Sequence, residues 1–140
     1  METIEKLSST TLQSQPLTHT RLKQLAIMAK SSEDHISRLA MGLSLSKGYV
    51  DPEWAPSLLN SELVNHTEVN PKHIRGRTLL KDETPIWMAL TLTSQTPESY
   101  DEWRRVFKAH WERGVQILIE RAISEENWIR TLRSCLTPEE

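Results

Sequence analysis

One cysteine, Cys135, stands among 140 residues. It leaves the chain with no internal disulfide and no cysteine-based metal site of its own, which suits a reducing compartment and, by expectation, the cytoplasm. Glycine is scarce as well: four residues, at 42, 48, 76 and 114, none in a Gly-x-Gly arrangement. That spacing removes the phosphate-cradling loops of nucleotide-binding folds. No apolar run approaches the roughly 20 residues of a transmembrane helix, so no membrane contact is expected. The opening Met1-Glu-Thr-Ile-Glu-Lys carries acids and no following apolar block, unlike a secretory signal. There is no His-Glu-x-x-His helix. The closest histidine pair, His66 and His73, is read as surface histidines, and no metal or other cofactor is expected. A net charge of −2 offers no global basic field to a nucleic acid.

What the chain does have is a long amphipathic stretch. Trp103, Val106, Phe107, Trp111, Val115, Leu118, Ile119 and Ala122 recur every three to four residues and share one face of a helix. Arg105, Lys108, Glu112, Arg113 and Glu120 are expected on the opposite face. Such a helix needs its apolar side covered, so it should be the spine of one domain spanning residues 1–140. Gly114 inside it costs roughly 1 kcal/mol of helix propensity against Ala, which points to a close backbone approach there. His110, on the edge of the apolar face, is read as a hydrogen-bonding core-edge residue ahead of a ligand contact.

The remaining elements follow from pattern. Ile4 to Leu12 is polar and β-tolerant, a short strand or extended arm. Leu17 to Ala29 reads as a helix capped by Thr18, and a second helix capped at Ser31-Ser32 buries Ile36, Leu39, Ala40, Leu43 and Leu45, with Gly48 just past its end. Residues 47–72, broken by Pro52, Pro56 and Pro71, form a long connection of the kind that is functional or mobile, with one helical turn near 57–62. Ile74 to Leu80 reads as extended, bent at Gly76. Thr84-Pro85 starts a helix with Ile86, Trp87, Leu90 and Thr93 or Ser94 inward, Thr96-Pro97 starts the spine, and a last helix over about 125–133 buries Trp128, Ile129 and Leu132. The expected fold is therefore mainly α, a single-domain bundle of about five helices with a short N-terminal strand or arm.

Charge is uneven along this frame. Residues 72–81 hold Lys72, Arg75, Arg77 and Lys81 and no acid, whereas the stretch from Asp82 onward is acid-rich. Four bases on an irregular segment can follow a phosphate backbone without reading its sequence, and Gly76 would let main-chain N–H groups approach an oxyanion. The five tryptophans are read as core and interface anchors rather than base-stacking platforms. Cys135 would relay sulfur only if a partner presented it. No catalytic residue set is legible, so the chain is not expected to be an enzyme; a nicking activity would want clustered carboxylates, which 72–81 lacks.

Three stretches together resemble one family. Leu22-Lys-Gln-Leu with Arg38-Leu-Ala-Met-Gly-Leu-Ser-Leu is similar to a leucine-rich helix followed by an Arg-x-Ala-x-x-x-Ser-Leu helix. Ile74-Arg-Gly-Arg-Thr-Leu-Leu resembles a glycine-centred segment after a proline-containing loop. Phe107-Lys-Ala-His-Trp-Glu-Arg-Gly-Val-Gln-Ile-Leu resembles a His-x-x-Arg-Gly-hydrophobic helix, in which His110, Arg113 and Gly114 form a structural motif. In this order, over roughly residues 4–120, they resemble the DndE family of bacterial DNA phosphorothioation systems.

The resemblance implies a mostly helical, homotetrameric accessory protein that binds duplex DNA, with a preference for nicked duplex, through basic residues. It would work beside a cysteine desulfurase, an iron-sulfur sulfurtransferase and a coiled-coil ATPase. The family's basic run at the end of its first helix is replaced here by Leu25-Ala-Ile-Met-Ala, with only Arg21, Lys23 and Lys30 around it. DNA contacts are therefore expected from Arg21, Lys23, Lys30, Lys72, Arg75, Arg77 and Lys81, with most weight on Arg75 and Arg77. Residues 121–140 are expected to be a helical extension. The alternative is an adaptor that docks on the ATPase or sulfurtransferase with little DNA contact, supported by the acid-rich half and the loop bearing Trp54.

Overall fold

The computed structural model describes residues 2–59 and 70–124. The expected last helix with its Trp128, Ile129 and Leu132, the residues Cys135 and His66, and half of the expected turn at 57–62 lie outside them. In chain order the elements are α1 (Glu2–Ser9), β1 (Thr11–Gln13), α2 (Pro16–Ala29), α3 (Glu33–Ser46), β2 (His73–Arg75), α4 (Gly76–Leu80), α5 (Thr84–Thr91) and α6 (Tyr100–Ser124). The fold is mainly helical, and β1 and β2 form a small antiparallel ribbon.

α6 is the spine that its periodicity requires. Trp103, Val106, Phe107, Trp111, Val115, Leu118 and Ile119 are all buried, and α3, then α2, packs along them. The expected polar face is only partly so: Glu112 is buried, and Lys108 and Arg113 are half-buried. α3 starts as its sequence dictates, with the Ser32 hydroxyl accepting the His35 N–H at 3.1 Å and Glu33 and Asp34 facing the positive helix end. The Trp111 indole N–H, buried against α3, donates to the Ser37 hydroxyl at 2.9 Å.

Two glycines set how close the elements come. A Cβ on Gly114 would lie 1.9 Å from the Ala40 carbonyl oxygen, so α3 and α6 meet backbone to backbone, as the glycine's cost implied. A Cβ on Gly76 would lie 1.8 Å from the Leu7 carbonyl oxygen, which presses the start of α4 onto α1. The described part of the long connection is tied down. Arg113 donates to the carbonyls of Gly48 and Tyr49, Gln95 brackets the Val50 peptide, and Gln116 accepts the Ser57 N–H.

Several expectations are corrected. The N-terminal stretch is mostly helical, because Ile4 and Leu7, three apart, put Leu7 into the core; only Thr11–Gln13 is extended. α2 begins at Pro16, and Thr18 lies inside it with its hydroxyl donating to Glu112 at 2.7 Å. The strand after the long connection ends at Arg75, and Leu79 and Leu80 are buried from a helical turn. In α5 the inward residues are Thr84 and Thr91, with Trp87 and Met88 half-buried, while Ile86 and Leu90 are 56% and 48% exposed. The α6 start signal is Ser99, whose hydroxyl accepts the Glu102 N–H, rather than Thr96.

Gly114→Ala should therefore lower stability by about 3 kcal/mol, since the overpacking it forces outweighs its helix-propensity gain. Gly42→Ala, exposed on α3 with nothing within 4 Å of the new methyl, should instead gain up to about 1 kcal/mol. Urea unfolding of the two variants beside the parent protein checks the sign of each.

Candidate nucleic-acid interface

The basic segment is held by its apolar residues and shows its cations because of them. Ile74 points into the core, so its neighbours His73 and Arg75 point out, as the twofold period of a strand requires. β2 is registered on β1 with Thr11 opposite Arg75 and Gln13 opposite His73. Leu79 and Leu80 then anchor α4, leaving Arg77 exposed, and Arg38 from α3 donates to the Thr78 carbonyl at 2.9 Å. Lys81 ends the turn with a left-handed φ of 57°, and it too is exposed.

Arg75 and Arg77 border a concavity of about 240 Å³ with Ser8, Ser9 and Thr78. A neighbouring groove of about 520 Å³ is shared by Arg77 and Lys81 with Glu5 and Asp82. Among the described residues neither guanidinium has a hydrogen-bond or ion-pair partner, and Lys81 has none either. Guanidinium groups left free in this way can bind a phosphate through two parallel N–H bonds. The serine hydroxyls are partly engaged already: Ser8 with Thr84 at 3.0 Å, and Ser9 with the Glu5 carbonyl at 2.8 Å. The charge on offer is therefore that of the three cations.

The other sequence candidates lie elsewhere. Arg21 is fully buried, its guanidinium donating to Gln116 Oε1 at 2.9 Å and to the Ser57 carbonyl. It holds α2, α6 and the long connection together and presents no surface to a duplex, which corrects its expected role. Lys72 is neutralised by Glu33 at 3.2 Å and Asp34 at 3.6 Å, pinning the lead-in of β2 to the start of α3. Lys23 and Lys30 are exposed on α2 and at its left-handed C-cap, and neither lines the grooves of Arg75, Arg77 and Lys81. The Gly76 N–H donates to the Thr10 carbonyl at 2.8 Å, so the expected main-chain contact to an oxyanion is spent inside the fold.

Comparison of the chain with family models, curated proteins and solved structures found no match.

His110, Arg113 and Gly114 form one internal motif. The Arg113 guanidinium donates to the Ser44 hydroxyl and carbonyl, both at 2.8 Å, and that hydroxyl lies 2.8 Å from His110 Nδ1. His110 Nε2 is buried without a partner among the described residues. Burial, helped by the Arg113 charge, pulls the imidazole down from 6.5 to about 4, so it is neutral at physiological pH. Glu112, between His110 and Arg113, is the buried group that sequence reading missed. Its carboxylate accepts the Gln15 N–H at 2.8 Å and the Thr18 hydroxyl, so it ties the start of α2 to α6. Burial pushes its carboxyl up despite those bonds and the charges of Lys108 and Arg21. No three His, Cys, Asp or Glu side chains among the described residues are grouped to hold a metal ion.

These two groups give stability opposite pH slopes. His110 resists protonation in the fold, so its contribution is full above 6.5 and is lost as pH falls toward 4, by about 3 kcal/mol in all. Glu112 holds its proton more tightly folded than unfolded, so its contribution is lost as pH rises through and above 4.5. Glu112→Gln should thus gain stability relative to the parent protein as pH rises from 4 to 7. His110→Gln should flatten the acid limb. Urea midpoints at pH 4, 5.5 and 7 read both trends, and parallel curves for all three proteins would contradict the assignments.

Proposed function

We propose that the protein is a DNA-binding accessory subunit of the bacterial DNA phosphorothioation machinery, holding a duplex, intact or nicked, by its phosphates in the cytoplasm. Sulfur incorporation is then left to the cysteine desulfurase, sulfurtransferase and ATPase. One observation carries the reading: Arg75, Arg77 and Lys81 stand exposed on one short, internally anchored segment, unpaired among the described residues. The pathway comes from the resemblance to the DndE family alone. Contacts of this kind fix register on a backbone without reading bases, so no sequence preference is assigned. Lys23, exposed on α2, and Lys30, exposed at its C-cap, are outlying contacts, and no residue is given a catalytic role.

Three cations from one chain bind weakly, which makes assembly part of the reading, and we take the assembly to be a homotetramer. Its contact would use α5, where Ile86, Leu90 and the following Leu92 are 56%, 48% and 50% exposed. The same apolar face favours the second reading, an adaptor that seats on the ATPase or sulfurtransferase. No helix among the described residues is long and apolar enough to cross a membrane.

A titration of intact and nicked duplexes at two or more salt concentrations tests this. Each engaged protomer should contribute about −2.7 to the slope of log affinity against log salt, from about 0.9 counterion for each of three contacts. Arg75→Ala with Arg77→Ala should weaken binding on every sequence and remove about 1.8 of that slope. No measurable binding by the parent protein at low salt would refute the reading. Partner capture that survives the double substitution would favour the adaptor. Separately, Leu90→Glu should shift sedimentation toward the monomer, and an unchanged mass would exclude α5 as the contact.

A further inference from the structure

A second groove, of about 470 Å³, lies away from the Arg75 corner. One wall is Leu12, Gln13 and Gln15 at the end of β1, and the other is Asp101, Arg104 and Lys108 on the outer face of α6. No residue of β2 lines it, so it lies on the other edge of β1, where the Gln15 N–H is already taken by Glu112 at 2.8 Å and the uncovered stretch ends at Gln13. The register fixes which peptide groups stand there. The Gly76 N–H reaches the Thr10 carbonyl at 2.8 Å and the Ser14 N–H reaches the Lys72 carbonyl at 2.9 Å, with Leu12 opposite Ile74 between them. In an antiparallel pair the intervening residues turn their N–H and C=O outward, so those of Thr11 and Gln13 face the open edge. Among the described residues nothing pairs with them.

Among the residues that line the groove, three cations, Arg104, Arg105 and Lys108, stand against one acid, Asp101. Arg105 is held by Asp101 at 3.1 Å and by Glu53 at 2.6 Å. That leaves Arg104, exposed and with no partner among the described residues, and Lys108, half-buried with its charge toward Glu112. Both sit on the groove side of α6, one turn apart. An open strand edge alternates donors and acceptors. A phosphate backbone can accept from the N–H groups, but it sets its oxygens against the Thr11 and Gln13 carbonyls. Another extended polypeptide satisfies both, and the two cations favour acidic side chains on it.

We infer that this groove takes a short, extended, acidic segment of a partner protein, which adds a third strand to the ribbon at β1 and sets its carboxylates against Arg104 and Lys108. The site is separate from the phosphate-binding corner and gives the protein a way to hold a partner while its Arg75 face is on DNA.

The probe is a fluorescein-labelled peptide of alternating Glu and Val, followed by anisotropy with the full chain. Two controls accompany it: the same peptide with Lys for Glu, and one N-methylated along both edges. The acidic peptide should bind saturably, and both controls about tenfold or more weaker. Arg104→Glu with Lys108→Gln, which places no second carboxylate beside Glu112, should cost about as much, while Arg75→Ala with Arg77→Ala should leave peptide binding unchanged. The inference is overturned by no saturable binding of the acidic peptide, or by equal binding of either control. It is also overturned if duplex DNA displaces the peptide and the Arg104 and Lys108 variant loses duplex binding, which would make the groove part of a nucleic-acid track. Self-association lost in that variant would make a second copy the occupant and would overturn it too. Peptide binding without duplex binding would instead remove the proposed function and leave this inference standing.

Discussion

Where Gly114 meets the carbonyl of Ala40, two helix backbones lie too close for a methyl group between them. That approach lets α3 and α6 bury their apolar faces against each other over most of the length of α3. It also brings Ser44 within reach of both His110 and Arg113. A guanidinium so placed extends to the Gly48 and Tyr49 carbonyls, and the chain leaving α3 is fixed as a result. Any residue larger than glycine would have to separate the helices, and the Trp111 to Ser37 bond would lengthen along with the Arg113 bonds.

The second close contact, Gly76 against Leu7, does for the basic corner what Gly114 does for the core. It presses the start of α4 onto α1 while the ribbon holds the residues just before it. Arg75 and Arg77 therefore leave a rigid backbone from either side of a residue that cannot move. Rigid placement matters for weak contacts, because less side-chain and loop entropy remains to be lost on binding. The bend at Gly76 is legible in the sequence, but its N–H, which local pattern leaves open to an oxyanion, registers the ribbon by donating to the Thr10 carbonyl.

What was legible and what was not divides along a physical line. The spine of α6, the cap at Ser32, the turn at Gly48 and the close approach at Gly114 could be read because each is a local signal, a period or a backbone requirement. The helix α1 could not, since only Ile4 and Leu7 mark its period before the run Ser8-Ser9-Thr10-Thr11 that reads as extended. In α5 the period was right and the face was wrong. Thr91 can turn inward because its hydroxyl is satisfied by the Trp87 carbonyl at 2.9 Å, and Thr84 because it meets Ser8. Arg21 and Glu112 were read as surface charges by the ordinary habit of their residue types. Each is buried only because partners distant in sequence, Gln116 for one and Gln15 with Thr18 for the other, complete its hydrogen bonds.

That same comparison of charges bears on function. The chain carries 19 acids against 17 lysines and arginines, so it does not lack the means to neutralise its bases. It uses those means where a cation serves the fold: Glu33 and Asp34 on Lys72, Asp101 and Glu53 on Arg105. Glu5 and Asp82 border the groove of Arg77 and Lys81, yet no ion pair forms among these described residues. Keeping Arg75, Arg77 and Lys81 close and unpaired costs repulsion that a carboxylate at ion-pair distance would relieve. Such a cost, in a fold that relieves it at Lys72 and Arg105, is what the proposed phosphate contacts would require.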